Sequence, residues 1–224
     1  MYKLFLKRLL DFLLALLALV VLLPVLIPAC IILLLTGEHE VFYFQKRIGY
    51  LNKTFSIWKF ATMVKNSPNL GNGLMTTRND PRVLPFGRFL RKTKINELPQ
   101  IMNIIIGDMS IVGPRPLVDK TFDPYPEHVK AAIYNVKPGL TGIGSIIFRD
   151  EERLLTETKL PKEEFYANYI SPYKGELELW YQKNMSILTD FKLIFLTAWV
   201  IFFPESNLVY RWFKDLPKRK VNFQ

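Results

Sequence analysis

The chain has 224 residues, half of them hydrophobic and 14% aromatic, with 30 Lys and Arg against 20 Asp and Glu for a formal net charge of +10. This composition excludes a disordered chain and leaves enough apolar surface for a substantial core. The lone Cys30 excludes an intrachain disulfide and fits a reducing compartment, while the basic surplus points to an anionic lipid surface or a phosphorylated substrate. Nucleic acid is disfavoured as a partner, because no zinc-ligand spacing, RNP-like motif or basic heptad helix is present.

In chain order, the first element is a run without charge from Phe12 to Leu35, preceded by Lys3, Lys7, Arg8 and Asp11 and followed by Glu38, His39 and Glu40. Its length suffices for a bilayer, which takes roughly 20 apolar residues, and exceeds the apolar region of a cleaved signal peptide. Pro24 and Pro28 fall mid-run, where proline removes a backbone donor. Basic residues lie on both sides, with Lys46, Arg47, Lys53 and Lys59 following soon after. Since positive charge prefers the cytoplasmic face, the pattern favours a re-entrant helix that bends at Pro24 and returns to the side it came from over the alternative of a kinked span.

Residues 41–65 are rich in β-branched and aromatic side chains around Gly49 and predict a hairpin. Residues 66–82, crowded with Asn, Gly and Pro, predict a loop. A basic helical stretch follows from Gly87 to Lys94, then a short helix from Glu97 to Ile106 that Gly107 stops. The SIVGPRP segment must be extended, because each proline pushes its predecessor out of the helical region. A helix is predicted from Pro126 to Asn135, a glycine-broken strand or loop at LTGIGSIIF, and mostly helix over 150–190. The apolar run Leu193 to Pro204 is too short to cross a bilayer. It reads equally as a core helix or as an interfacial anchor, backed by Trp212, Phe213 and the cations Arg211, Lys214, Lys218, Arg219 and Lys220.

These elements predict a helix-rich α/β fold, one compact globular domain on an N-terminal re-entrant membrane helix. The expected organisation is the membrane helix over residues 1–36, a cytoplasmic-face domain with interfacial helices over 37–204 and a basic aromatic tail over 205–224. A homodimer is compatible with the sequence and is not required by it.

Arginine gathers where the backbone is most constrained: Arg82 after Asp80-Pro81, Arg88 and Arg91 in GRFLRK, and Arg115 between two prolines. Planar guanidinium groups bind phosphate oxygens through two parallel bonds, so this is a pattern a diphosphate site needs. Glu97 and Asp108 sit among apolar residues nearby in sequence. They can act as nucleophile, base or Mg²⁺ ligand, or can simply pair with the arginines as structural salt bridges.

Together, FYFQKRIG, FSIWKFATM, NDPRVLPFGRFLRKTKINELPQIMNIIIGDMSIVGPRP, VKPGLTG and LELWYQKNMSILTDFKL resemble the bacterial polyprenyl-phosphate phosphoglycosyl transferases of the monotopic class. The resemblance implies a re-entrant helix broken near a proline and an active site at the cytoplasmic face of the inner membrane. It implies transfer of a phosphosugar from a UDP-sugar to a polyprenyl phosphate, usually undecaprenyl phosphate, with release of UMP and Mg²⁺ as cofactor. That step starts glycoconjugate assembly and passes through a phosphosugar held on the aspartate of an Asp-Glu pair.

By position, the pair falls on Asn96 and Glu97, which the resemblance makes both the catalytic and the metal-binding residues. Lys59, Arg82, Arg115 and Arg149 match family positions; with Arg88 and Arg91 they are the expected substrate-binding set, the arginines for diphosphate or fold-supporting roles and Lys59 for carboxylate or phosphate contact. The chain departs at Ala61, at Ile143, where Trp is usual, at the acidic FRDEE run, and at Glu178, where Asp is usual. The departure at Asn96 matters most, since an amide is a far poorer nucleophile than a carboxylate. Either another carboxylate attacks, with Glu97 first and Asp108, Asp150 or Glu151 behind it, or the substitution was introduced to stop turnover, or the chain is a silent relative that only binds.

Overall fold

The structure is a computed structural model that describes residues 2–70 and 80–219. Residues 71–79 of the expected loop and residues 220–224 of the basic tail, Lys220 among them, lie outside the described residues. The helix-rich expectation holds: among the described residues two small sheets have two strands each, and the remaining regular structure is helical.

Helix α1, Lys7–Leu35, is 29 residues long, which corresponds to about 44 Å. It is the one described helix long and apolar enough to cross a membrane. Leu13, Leu17, Val20, Val21, Ile27 and Leu35 stand exposed along it. Pro24 and Pro28 lie inside one continuous helix, so neither proline ends it.

The hairpin forms as expected from β1 (Phe42–Ile48) and β2 (Thr54–Phe60). Beyond it come α2 (Pro85–Lys92), a 3₁₀ turn over Ile95–Gln100 and α3 (Ile101–Ile106), which Gly107 stops at φ +108°. Strand β3 (Ser110–Val112) is followed by the short helices α4 (Asp119–Phe122) and α5 (Glu127–Lys130), then β4 (Gly139–Thr141). The rest is helical: α6 (Ile143–Ile147), α7 (Glu151–Glu157), α8 (Lys162–Phe165), α9 (Ser171–Lys183), α10 (Ile187–Phe202) and α11 (Leu208–Trp212).

Two expectations change. The helix predicted to reach Asn135 ends at Lys130, because Ala132 N–H bonds to Val129 O and Asn135 N–H to Ala132 O, three residues back, which tightens the chain into turns. The predicted strand or loop at LTGIGSIIF is a strand followed by a helix, with Gly142 as the break between them.

Backbone contacts group the residues into two compact units that interleave along the sequence. The first comprises the chain up to Asp11, Arg47–Phe55 and the chain from Gly107 onward. Its core holds Val129, Ile133, Ile143, Leu177, Leu193 and Leu196, and each such side chain contributes roughly 1.5–3 kcal/mol on burial. β3 and β4 pair in parallel, Ser110 opposite Gly139 and Val112 opposite Thr141. A Cβ on Gly139 would fall 2.1 Å from Gly113 N, so both glycines are required for the backbones to approach.

In α10 the core-helix reading holds on one face, and the opposite face is exposed. Leu193, Leu196 and Val200 enter the core, while Leu188, Phe191, Phe195 and Phe202 are exposed. The tail docks as well: Val209 and Phe213 are buried, and Trp180 Nε1 donates to Asp215 Oδ2 at 2.8 Å.

The second unit comprises Phe12–Lys46 and Ser56–Ile106. Ala29, Leu33, Phe60 and Leu90 form its apolar cluster, with Cys30 packed against it as a free thiol.

Candidate active site

Within the second unit, Lys59 on β2 and Glu97 on the 3₁₀ turn come together, Nζ to Oε1 at 3.5 Å, with 16% and 21% of their side chains exposed. The position of β2 is fixed by Asn103, which is wholly buried. Its Oδ1 accepts from Trp58 N–H at 2.9 Å and its Nδ2 donates to Ser56 O at 2.8 Å. Lys59 thus stands on a strand pinned from α3. Helix α2 lies close against the end of β2, since a Cβ on Gly87 would fall 2.3 Å from Thr62 O. Arg91 Nη1 reaches Thr62 Oγ1 at 3.4 Å. Arg88, one turn earlier on the same face of α2, is exposed.

Arg82 is buried. Its Nε and Nη2 bind Asp80 at 2.9 and 2.6 Å, and its Nη1 donates to Ser67 O and Leu70 O, both at 2.7 Å. The DPR motif is therefore a clasp that closes the chain onto Ser67 and Leu70.

Asn96 is buried, and its Oδ1 has no hydrogen-bond partner. Its neighbour Glu97 is the partly exposed one. Among the described residues no group of three or more His, Cys, Asp and Glu gathers to hold a metal. Mg²⁺ does not need one, because it commonly takes one or two protein oxygens plus substrate phosphates and waters. Asn96 Oδ1, without a partner and one residue from the Glu97 carboxylate in the chain, is the type of oxygen donor that requirement calls for.

The first unit holds Arg115 and Arg149. The backbone around Arg115 is clamped on every side. Tyr134 Oη donates to Arg115 O at 2.8 Å and accepts from Leu117 N–H at 3.0 Å. Arg47 Nη1 donates to Pro116 O at 3.3 Å, Ile48 N–H to Leu117 O at 2.8 Å, and Gly139 N–H to Pro114 O at 2.8 Å. Arg149 is exposed just beyond α6.

Sequence reasoning noted Glu178 only as a departure from Asp and missed its setting. The side chain is fully buried on α9, neither carboxylate oxygen has a partner of ordinary hydrogen-bond geometry, and a Cβ on Gly144 would fall 2.4 Å from Oε1. Burial pushes its carboxyl up to about 8, against the smaller opposing pulls of Lys174 and the nearby Arg115 and Gly144 backbone amides. Lys174 in turn pairs with Glu151 at 2.5 Å. A charged residue inside the apolar LELWY run was the signal that could have found it.

A sequence profile for the family described as Bacterial sugar transferase matches residues 2–204. The chain is 36% identical over 189 residues to the UDP-glucose:undecaprenyl-phosphate glucose-1-phosphate transferase of Escherichia coli, an alignment covering 84% of this chain and 40% of that protein. It is 30% identical over 211 residues to the undecaprenyl-phosphate galactose phosphotransferase of Salmonella typhimurium, covering 88% of this chain and 40% of that protein. Against the exopolysaccharide production protein ExoY of Sinorhizobium fredii it is 33% identical over 205 residues, covering 85% and 83%. The chain thus spans about two fifths of the length of the first two relatives. With a profile match over nearly the whole chain and relatives at these identities, the protein belongs to the bacterial sugar transferase family.

Proposed function

We propose that the chain transfers a phosphosugar from a UDP-sugar to a polyprenyl phosphate such as undecaprenyl phosphate, releasing UMP, at the cytoplasmic face of the bacterial inner membrane. The names of its relatives support the reaction, and the pairing of Glu97 with Lys59 carries the assignment of the attacking group. Asn96 is a neutral amide and buried; Glu97 is a carboxylate, partly open to solvent, paired with Lys59. A Glu97 oxygen attacks the sugar-bearing phosphorus and the bond to the UMP oxygen breaks. A phosphate oxygen of the acceptor then attacks the same phosphorus, and Glu97 leaves as the carboxylate. Mg²⁺ held by Glu97, Asn96 Oδ1 and the diphosphate would neutralise charge on the departing UMP. Arg91 and Arg88 supply phosphate contacts within the same unit as Glu97, and Arg82 holds the DPR loop; for Arg115 and Arg149 the phosphate role rests on their match to the family motifs alone.

For the membrane segment, the re-entrant reading is supported by basic residues at both ends of α1 and by two prolines within it. Both termini are then cytoplasmic. A cysteine-accessibility scan near residues 1 and 224 tests this, and labelling from opposite sides defeats it.

The competing reading, a silent binder, is favoured by Asn96 alone. The deciding experiment measures UMP release across a UDP-sugar panel with undecaprenyl phosphate and Mg²⁺, for the natural sequence and for Asn96→Asp. Activity before the substitution and little change after it supports Glu97 as nucleophile. Activity only after it makes Asn96 the disabling residue, and no release from any sugar in either protein sinks the transferase reading.

A further inference from the structure

Outside the site just described, two cations of the first unit meet at one point. The position that a Cβ on Gly107 would occupy lies 3.1 Å from Arg8 Nη2 and 3.5 Å from Lys137 Nζ. Gly107 has φ +108°, so its missing side chain leaves the space in which both groups sit. Lys137 Nζ is half buried and makes no hydrogen bond or ion pair among the described residues. Burial and the neighbouring Arg8 both lower the Lys137 pKa, the expected cost of placing like charges together in a partly dry setting.

Asp11 and Asp108 pull the other way. Both oxygens of Asp11, however, already serve β3: Oδ2 accepts from Ser110 Oγ at 2.6 Å and Oδ1 from Ile111 N–H at 3.0 Å.

Both arms of the cluster are rigidly held. Arg8 rides on a helix tied down by Asp11 and by Lys7, whose Nζ lies 2.5 Å from Asp190 Oδ2. Lys137 immediately precedes Pro138, whose carbonyl accepts from Ser110 N–H at 2.9 Å. Arg8 also stands one turn before Phe12, where the charges of α1 stop and the apolar run begins, with exposed Phe5 and Leu9 beside it. On the membrane reading given above, that is the depth of the lipid headgroups.

We propose that Arg8 and Lys137, converging over Gly107, form a binding site for the phosphate group of a lipid. An anion there relieves the repulsion between the two cations and gives the Lys137 ammonium its partner. The chemistry is that of a phosphate at the polar edge of a bilayer, whether the diester of an anionic phospholipid or the monoester of a polyprenyl phosphate.

The test uses the full chain in neutral detergent, with dioleoylphosphatidylglycerol, undecaprenyl phosphate or the zwitterionic dioleoylphosphatidylcholine added and bound lipid counted by native mass spectrometry. Arg8→Gln, Lys137→Gln and the double variant are compared with the natural sequence and with Lys53→Gln, an exposed lysine elsewhere. Each single variant is expected to lose about fivefold in anionic-lipid retention, from about 1 kcal/mol per cation, and the double variant should lose the preference over phosphatidylcholine. Selective loss of phosphatidylglycerol identifies bulk lipid as the ligand, and selective loss of undecaprenyl phosphate identifies the acceptor. Unchanged retention of both by the double variant overturns the site. If Arg8→Gln lowers the Tm, Lys137→Gln alone decides, because its ammonium makes no described bond, and unchanged retention in that variant overturns the site equally. Lipid counting needs no turnover, so a failed transferase reading leaves this result separate.

Discussion

Glu97 and Glu178 are both glutamates set among apolar neighbours, one in each contact unit, and their environments push them toward opposite uses. Glu97 lies on a 3₁₀ turn with about a fifth of its side chain exposed and Lys59 at 3.5 Å. Glu178 lies in the middle of α9 with its carboxyl fully enclosed and its nearest cation, Lys174, engaged by Glu151. The first is paired with a cation and partly open to solvent. The second is driven toward the neutral acid beneath the backbone of the Arg115 loop. A paired, partly exposed carboxylate and a fully enclosed one are different chemical groups, although the sequence writes both as Glu.

Breaking the first member should have the largest effect. Glu97→Gln keeps the shape and removes the attacking oxygen, so turnover should fall by roughly 10³-fold or more, read as UMP release at saturating substrates. Residual activity above a tenth of the starting value would transfer the nucleophile's role to another carboxylate.

The scaffold beneath that pair comes next. Asn103→Ala removes two buried side-chain bonds to β2, for a loss of about 2–3 kcal/mol in unfolding stability. Turnover should fall as well, because Lys59 loses the support of its strand. A denaturation midpoint unchanged from the natural sequence would show that β2 is held by other means.

The second member is tested through pH. Its folded carboxyl titrates near 8 against an ordinary 4.5, so the folded state binds more protons across that window and stability falls as pH rises through it. The slope expected from one such group is about 1.4 kcal/mol per pH unit. Glu178→Gln, a permanent mimic of the neutral acid, should remove that slope between pH 5 and pH 8, measured as Tm against pH. A Glu178→Gln profile that keeps the full slope would place the titrating group elsewhere.

The smallest effect is expected at the clamp above it. Tyr134→Phe leaves Leu117 N–H and Arg115 O without their shared hydroxyl, costing about 1–2 kcal/mol. A few-fold rise in the KM for UDP-sugar, with kcat little changed, would show that the clamp positions Arg115 for binding.

Much of this arrangement was legible in the sequence. The hairpin was visible from β-branched and aromatic runs around Gly49, and the end of α3 at Gly107 from a residue that tolerates positive φ. Local rules set these features, since they depend on a residue and its immediate neighbours. Less legible was the helix at Ile143–Ile147, which the glycines at 142 and 144 made look like a broken strand. Gly144 is small because the Glu178 carboxyl, 34 positions away, needs its space, and no local rule carries that information. The buried and open faces of α10 could not be told apart from composition either, because both are apolar.

By itself, then, the sequence determined the apolar helix with its charged borders, the proline-stiffened arginine loop, and the family through motifs that span most of the chain. These are fixed by residue type and spacing along the backbone. Only the tertiary structure decided that Arg82 spends itself on Asp80 and two carbonyls, that Lys59 faces Glu97, that Glu178 is sealed under Arg115, and that Arg8 meets Lys137 over Gly107. Apart from the Arg82–Asp80 pair, these depend on desolvation and on charges distant in sequence. Those set what a titratable group does, and they exist only once the chain has folded.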